Sequence, residues 1–224
     1  MSISVIIPTL NEAASLAQTI HSLRAQEPHE ILVVDGGSTD GTERAAELAD
    51  HFLRSERGRA RQMNTGAARA TGEILLFLHS DCTLEDGALR SAVHILKRPS
   101  VIAGCFSMRV AVDGMLFRSI DGCATARVRL TGLIYGDQGM FLRRSDFERL
   151  GGFPPLRLME DVFFSRVLRR EGRLAVSPRR IFVSPRRWQR VGLVRQTLRN
   201  WGLTAAAALG VSPDDLAAHY PPVR

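Results

Sequence analysis

The 224-residue chain is 45% hydrophobic and 24% charged, the balance of a soluble globular protein long enough for one well-buried domain. No apolar run reaches the roughly 18 residues that a membrane-spanning helix needs, and three widely spaced cysteines without a CxxC pair argue against a disulfide framework or a structural zinc site. The net charge of +7 is uneven: residues 1–112 carry 11 basic and 13 acidic side chains, whereas residues 113–224 carry 19 and 10.

A basic second half suits a polyanionic partner, either nucleotide phosphates or an anionic membrane surface. Aromatic residues are too few and scattered for a base-stacking platform, so nucleic acid is excluded as a partner. Met1 leads straight into an apolar Ile3–Ile7, without the basic region and apolar core of a signal peptide. The expected location is the cytoplasm, with the inner face of the cell membrane as the alternative.

Ser4–Ile7 reads as a strand, and Pro8-Thr9-Leu10-Asn11-Glu12 as a turn into a helix that Asn11 can cap, with Leu16, Ile20 and Leu23 at helical spacing. Ile31–Val34 is the next strand, with Asp35 at its end and the flexible loop Gly36–Gly41 after it. Asp40 or Thr39 can cap the short helix beyond the loop. Strand and helix alternating with short loops imply a parallel sheet with right-handed crossovers. The glycine loop is neither GxGxxG nor GxxxxGK[ST], which removes support for dinucleotide-dependent hydride transfer and for P-loop chemistry. His51–Arg54 suits a short strand, and Arg57-Gly58-Arg59-Ala60-Arg61 sets three arginines around a helix start, a good place for phosphate.

Ile74–Leu78 is a continuous apolar run followed at once by His79-Ser80-Asp81. Such a run is a strand buried on both faces, and ligands in open α/β sheets lie outside the carboxyl ends of strands. The alternative role for Asp81 is as cap of a helix starting near Leu84. Three strand ends thus present Asn11 and Glu12, Asp35, and Asp81, as a nucleotide site with a divalent ion requires.

The ordered set Val5–Glu12, Val33–Thr42, Asn64-Thr65-Gly66, Ala70–Glu73 and Phe77–Asp81 resembles the family-2 glycosyltransferases of GT-A fold, closely over about the first 85 residues and more thinly to near residue 190. A bacterial subgroup encoded beside radical-SAM proteins, of arsenosugar-biosynthesis type, is similar at His79-Ser80-Asp81, Tyr135–Gln138 and Arg186-Arg187-Trp188. The resemblance implies a GT-A-like, mostly parallel α/β sheet flanked by helices, and inverting transfer of a sugar from a nucleoside diphosphate donor, UDP first. It implies that Asp35 reads the base, and that Asp81, the last acid of a DxD motif, holds Mn²⁺ or Mg²⁺. His79 stands where the family usually has the first acid. Pro8, Asn11, Glu12, Arg57, Arg61, Asn64, His79 and Ser80 complete the expected nucleotide-sugar set.

In the second half, Val101–Val112 suits an antiparallel or edge strand, and Met115–Leu133 a helix with interleaved arginines. Asp137 and Gln138, set between glycines, sit where backbone can approach a ligand or in an ordinary turn; the subgroup resemblance implies that they face donor sugar or acceptor. Met159-Glu160-Asp161 opens a helix, and the resemblance implies Asp161 as general base, oriented by Glu160; the bland alternative is that both acids serve the helix dipole. Arg187 and Trp188 resemble an acceptor-binding motif. Between Val162 and Arg199 there are eleven arginines and one acid, read as closing over the diphosphate. Val191–Leu209 forms an amphipathic helix that packs on its own domain, contacts an anionic membrane or pairs with a second subunit.

The expected organisation is a transferase domain over residues 1–190, with a donor half to residue 100 and an acceptor half beyond it, and a helical extension over 191–224. The acceptor is a small molecule or a lipid. Two alternatives stand: a non-catalytic nucleotide- or membrane-binding relative, and a sugar nucleotidyltransferase, which would need a glycine-rich basic loop after the first strand.

Overall fold

Strands β1 (Ile3–Thr9), β2 (Glu30–Asp35) and β4 (Ile74–Phe77) are buried along their whole length, as their uninterrupted apolar runs require. In the computed structural model, which describes residues 1–208 and 210–218, they form the centre of an eight-stranded sheet. Its order is β3-β2-β1-β4-β7-β6-β8-β5. The remaining strands are β3 (His51–Arg54), β5 (Cys82–Leu84), β6 (Val101–Val110), β7 (Met140–Arg143) and β8 (Arg173–Val183).

The first four strands of the sheet run parallel, in the 3-2-1-4 order of a doubly wound fold. Beyond them β7 is antiparallel to both β4 and β6, β8 runs parallel to β6, and β5 returns antiparallel to β8. The sheet is therefore parallel across β3-β2-β1-β4 and mixed beyond β4. Strand β6 lies between β7 and β8, in the interior of the sheet rather than at its edge.

Helices α1 (Ala13–Arg24), α2 (Thr42–Ala45) and α4 (Ala88–Leu96) pack on one face through Leu16, Ile20, Leu23, Ala92 and Ile95. Helix α3 (Arg59–Arg69) and, after α5 (Met115–Thr131) and α6 (Arg144–Arg149), helix α7 (Glu160–Glu171) cover the other face. Gly66 lets α3 close on the sheet, since a Cβ there would lie 2.5 Å from Ile6 and 3.0 Å from Val34. Phe77, Phe147, Phe153 and Phe164 form a ring cluster between β4, α6 and α7.

Helices α8 (Arg186–Val191), α9 (Leu193–Ala208) and α10 (Pro213–Ala218) end the described chain. Ala207 and Leu216 join Met159 and Val162 in a small apolar cluster, so this segment packs on its own domain. The side chains of Arg187, Val194 and Trp201 lie outside the described residues. Among the described residues no helix is long and apolar enough to cross a membrane.

Two local expectations change. Asn11 does not cap α1: it sits at φ 55°, a conformation asparagine tolerates, and its Oδ1 accepts from the Thr39 amide at 2.9 Å. The α1 amide of Ala13 donates instead to Asp40 Oδ2 at 3.1 Å. Nor does Asp81 cap a helix, because β5 comes directly after it and α4 begins only at Ala88.

Candidate active site

The carboxyl ends of β1 and β4 diverge where the strand order reverses, and they open onto a cavity of about 460 Å³. Pro8 and Glu12 line it from the β1 end, and His79, Ser80 and Asp81 from the β4 end. Arg57 and Arg59 come from the start of α3, Tyr135–Asp137 from the turn before β7, and Asp161 from the first turn of α7. Arg186, Trp188, Asn200 and Leu203 close it from the C-terminal helices.

The α7 start is tightly built. Met159 precedes it at φ 65°, which turns the chain so that Glu160 and Asp161 both face inward, 1% and 8% exposed. Glu160 Oε1 pairs with Arg59 Nε at 2.8 Å. Burial pushes the Glu160 carboxyl up, Arg59 pulls it down, and neighbouring Asp161 adds to the rise. Asp161 accepts from the Val162 amide at 2.7 Å through Oδ1 and from the Gly136 amide through Oδ2. Two amides thus fix the carboxylate at the cavity wall, on a rigid helix start.

Gly136 is the contact between two groups of interest. A Cβ there would lie 2.8 Å from His79 Nε2 and 3.2 Å from Asp161 Oδ2, so only glycine lets the turn pass between them. Burial, then the Arg59 charge, holds the His79 imidazole below its ordinary value, against the pull of Asp81, Asp137 and Asp161. Burial raises the Asp137 carboxyl, opposed by Arg127 and His79, and its buried Oδ1 has no hydrogen-bond partner among the described residues. Gln138 is buried behind it and accepts from Arg127 at 2.6 Å, while the Arg127 guanidinium stacks 3.4 Å from the Tyr135 ring centroid.

At the other wall, Arg186 Nη2 bridges Glu12 at 3.0 Å and Asp81 at 3.2 Å. The place between these carboxylates therefore attracts a cation. His79, Asp81 and Cys82 offer ligand atoms within 4.8 Å of one another. Burial, aided by Asp81, raises the Cys82 thiol well above its usual range, so it stays protonated and is a poor ligand. A neutral imidazole beside a carboxylate fits a divalent ion, and suits Mn²⁺ better than Mg²⁺.

Several expected residues have other employment. The Asp35 carboxylate does not line the cavity: it accepts from the Gly37 and Ser38 amides at 2.9 Å and from the Ser38 hydroxyl, organising the loop after β2. Asn11 joins that loop through its amide to Ser38 Oγ. Arg61 pairs outward with Glu56, and Asn64 spends both polar ends on the Phe153 backbone at 2.9 and 3.0 Å. Ser80 is at the cavity, its carbonyl held by the Thr19 hydroxyl. The sequence motifs point to Arg57, Arg61 and Arg187, whereas Arg59 and Arg186 make the ion pairs with site acids. The Gly58 helix start was the available signal, since it points the first helical side chain, Arg59, toward α7. Nothing in the sequence marked Asn200 or Leu203.

The family profile described as Glycosyl transferase family 2 matches residues 4–151. The chain belongs to that family. Glycosyltransferase AglE of Haloferax volcanii is 34% identical over 172 residues, which cover 68% of this chain and 56% of that protein. An uncharacterised glycosyltransferase of Nostoc, alr2836, is 30% identical over 141 residues, 58% of this chain and 43% of that one. The chain therefore spans about half the length of these relatives. Among solved structures, the mannosyltransferase PcManGT of Pyrobaculum calidifontis, in complex with GDP-Man and Mn²⁺, superposes with a TM-score of 0.65 at 28% identity, covering 79% of this chain and 54% of that one. Staphylococcus aureus TarS 1-349, in complex with UDP-GlcNAc, shares the fold with a TM-score of 0.64 at 23% identity, over 82% and 58% of the two chains.

Proposed function

We propose that this chain is an inverting, metal-dependent glycosyltransferase that moves a sugar from a nucleoside diphosphate donor to a hydroxyl acceptor. The observation that carries the reading is the pairing of two carboxylates across one cavity. Asp81, at the end of β4, is held in a cationic setting, and Asp161, at the start of α7, is fixed by two amides beside His79. Family membership supports the same assignment.

Asp81 and His79 would hold the divalent ion, which supplies charge neutralisation for the diphosphate leaving group. Arg59, Arg57 and Arg186 place guanidinium groups around the same cavity, where a diphosphate can be gripped. Asp161 takes the proton of the acceptor hydroxyl, which attacks the anomeric carbon from the face opposite the departing diphosphate and inverts the configuration. Glu160 acts through position: locked to Arg59, it sets the first turn of α7. Asp137 faces the sugar side, with Gln138 behind it tying the turn to Arg127, and Trp188 offers the acceptor an apolar wall. Asp35 acts on the base through the loop it organises. Arg187 keeps its assignment toward the acceptor from the motif alone. Both UDP and GDP are in view as the donor nucleotide, and the subgroup resemblance keeps a small soluble acceptor beside a lipid one.

Calorimetric titration of UDP and GDP, with Mn²⁺ and with chelator, tests the donor site. One nucleotide should bind only with metal, and the signal should vanish in Asp81→Ala. Asp161→Asn should retain that binding and lose turnover. If neither nucleotide binds under any metal condition, the donor site is wrong; if Asp161→Asn turns over at the wild-type rate, the base is wrong.

A further inference from the structure

Helix α5 turns its one acid inward. Asp121 accepts from the Val110 amide at 2.8 Å and pairs with Arg118 at 2.7 Å, so both charges are spent inside the fold. The opposite face of the helix is open. Met115, Leu116 and Leu130 are 85%, 65% and 80% exposed, and Ser119, Gly122, Cys123, Ala126 and Arg129 fill the stripe between them. At 3.6 residues per turn these positions share one side of a helix, and Met115 and Leu130 lie about 22 Å apart along it. The outward face carries no acidic residue.

Beside that stripe runs a shallow groove of about 560 Å³ between α5 and the ends of β6 and β8. It is lined by apolar Met108, Ala126 and Leu130, by the Arg118–Asp121 pair, whose charges offset each other, and by Arg109, Arg129 and Arg180. Arg109 has a loose pairing at 3.7 Å with fully exposed Asp113. Arg129 and the Arg180 side chain have no ion pair among the described residues. Met115, Leu116 and Leu130 thus stand exposed beside Arg129 and Arg180.

We infer that the outward face of α5 and its arginine rim dock this protein onto an anionic lipid bilayer. Charge decides the occupant. A second copy seated on this face would bring arginine against arginine. A bilayer with acidic headgroups offers negative charge to the rim and hydrocarbon to Met115, Leu116 and Leu130, as interfacial helices exploit. The inward side of the same helix sends Arg127 to Gln138 and Tyr135 at the active-site wall, so docking sets the cavity beside the membrane surface. The inference does not depend on the transfer reaction.

Co-sedimentation of the full chain with phosphatidylcholine vesicles, with and without about 30% phosphatidylglycerol, tests it. Binding should require phosphatidylglycerol and weaken with salt. Arg129→Gln and Arg180→Gln should each lower the partition coefficient about fivefold, the value of roughly 1 kcal/mol per basic residue near such a surface. Leu130→Asp should abolish binding while leaving the thermal midpoint and nucleotide titration unchanged. Absence of binding to the acidic vesicles would overturn the inference. So would binding that survives the α5 variants but is lost in Arg195→Gln/Leu198→Asp on α9, or a dimer, seen by light scattering, that Leu130→Asp dissolves without any vesicle binding.

Discussion

Replacing Arg59 by glutamine would strand the Glu160 carboxyl, whose side chain is 2% exposed and whose 2.8 Å partner would be gone. Breaking a buried ion pair from one side costs about 3–5 kcal/mol when the remaining charge has no escape. Glu160 has one, because it can take up a proton. At pH 7 that costs at most about 3.4 kcal/mol for a carboxyl of ordinary pKa, and less for one already raised by burial. Arg59 is also 40% exposed, so water replaces part of its contribution. The expected loss is about 2 kcal/mol at pH 7. A carboxyl with a raised folded pKa contributes stability that is full below its unfolded value of 4.5 and lost as pH rises through the folded one. Removing Arg59 moves the folded pKa higher, so the deficit should grow from pH 5 to pH 8. Urea unfolding across that range, for Arg59→Gln and for Arg59→Gln/Glu160→Gln, measures it. The double variant should regain most of the loss and show little pH dependence. A deficit equal at both ends of the range, or a double variant no better than the single one, would refute the ion-pair account.

Three further predictions rest on separate contacts. Burial alone would raise the Glu30 carboxyl, but bonds from the Ser4 hydroxyl, the Thr71 amide and hydroxyl and the Gly72 amide bring it down to about 2. Its stabilisation is therefore present above pH 4.5 and lost as pH falls toward 2; Glu30→Gln should cost about 2 kcal/mol at neutral pH and flatten that acid limb in urea midpoints. Gly136→Ala should keep the fold, shown by an unchanged thermal midpoint within a few degrees, yet cut kcat/KM at least about tenfold by parting His79 from Asp161. A normal rate would mean that this spacing does not matter. His79→Asp should shift the ion preference of nucleotide binding from Mn²⁺ toward Mg²⁺, read by titration with each metal; an unchanged ratio would remove His79 from the ion's surroundings.

The parallel part of the sheet was legible because its signals are local. Uninterrupted apolar runs announce buried parallel strands, although β1 continues through Pro8 to Thr9, past the expected end at Ile7, β2 takes in Asp35, and β4 stops at Phe77, one residue before the apolar run ends. Strand β8 was hidden because two of its properties argue against a strand. Arg173, Arg179 and Arg180 read as a solvated basic face, and Pro178 cannot donate to a ladder. The structure accommodates both through a bulge: Phe106 pairs with Ser177 and Ser107 with Arg180, so Pro178 and Arg179 drop out of the ladder. Similarly, β5 is three residues long, paired among the described residues with β8, and too short to leave a period in the sequence. At the site, residue type was easier to read than direction. Arg57, Arg59 and Arg61 are chemically alike, and only the helix phase set by Gly58 separates the one facing Glu160 from the one facing Glu56.

That distinction between type and direction also explains the C-terminal helices. Their arginine content suggested a lid over phosphate, or a membrane-facing extension, and the pattern alone cannot choose. The packing does. Ala207 and Leu216 settle on Met159 and Val162, the residues flanking Glu160 and Asp161, so the segment buttresses the very turn that presents the carboxylate. From that seat Asn200 and Leu203 reach the cavity, and Arg186 ties Glu12 to Asp81 across it. The helices beyond residue 190 extend the chain in sequence but form part of the cavity wall in space. Basic charge in the second half serves separate places: Arg186 compensates acids gathered at the strand ends, while Arg129 and Arg180 stand beside the groove along α5 without an ion pair among the described residues.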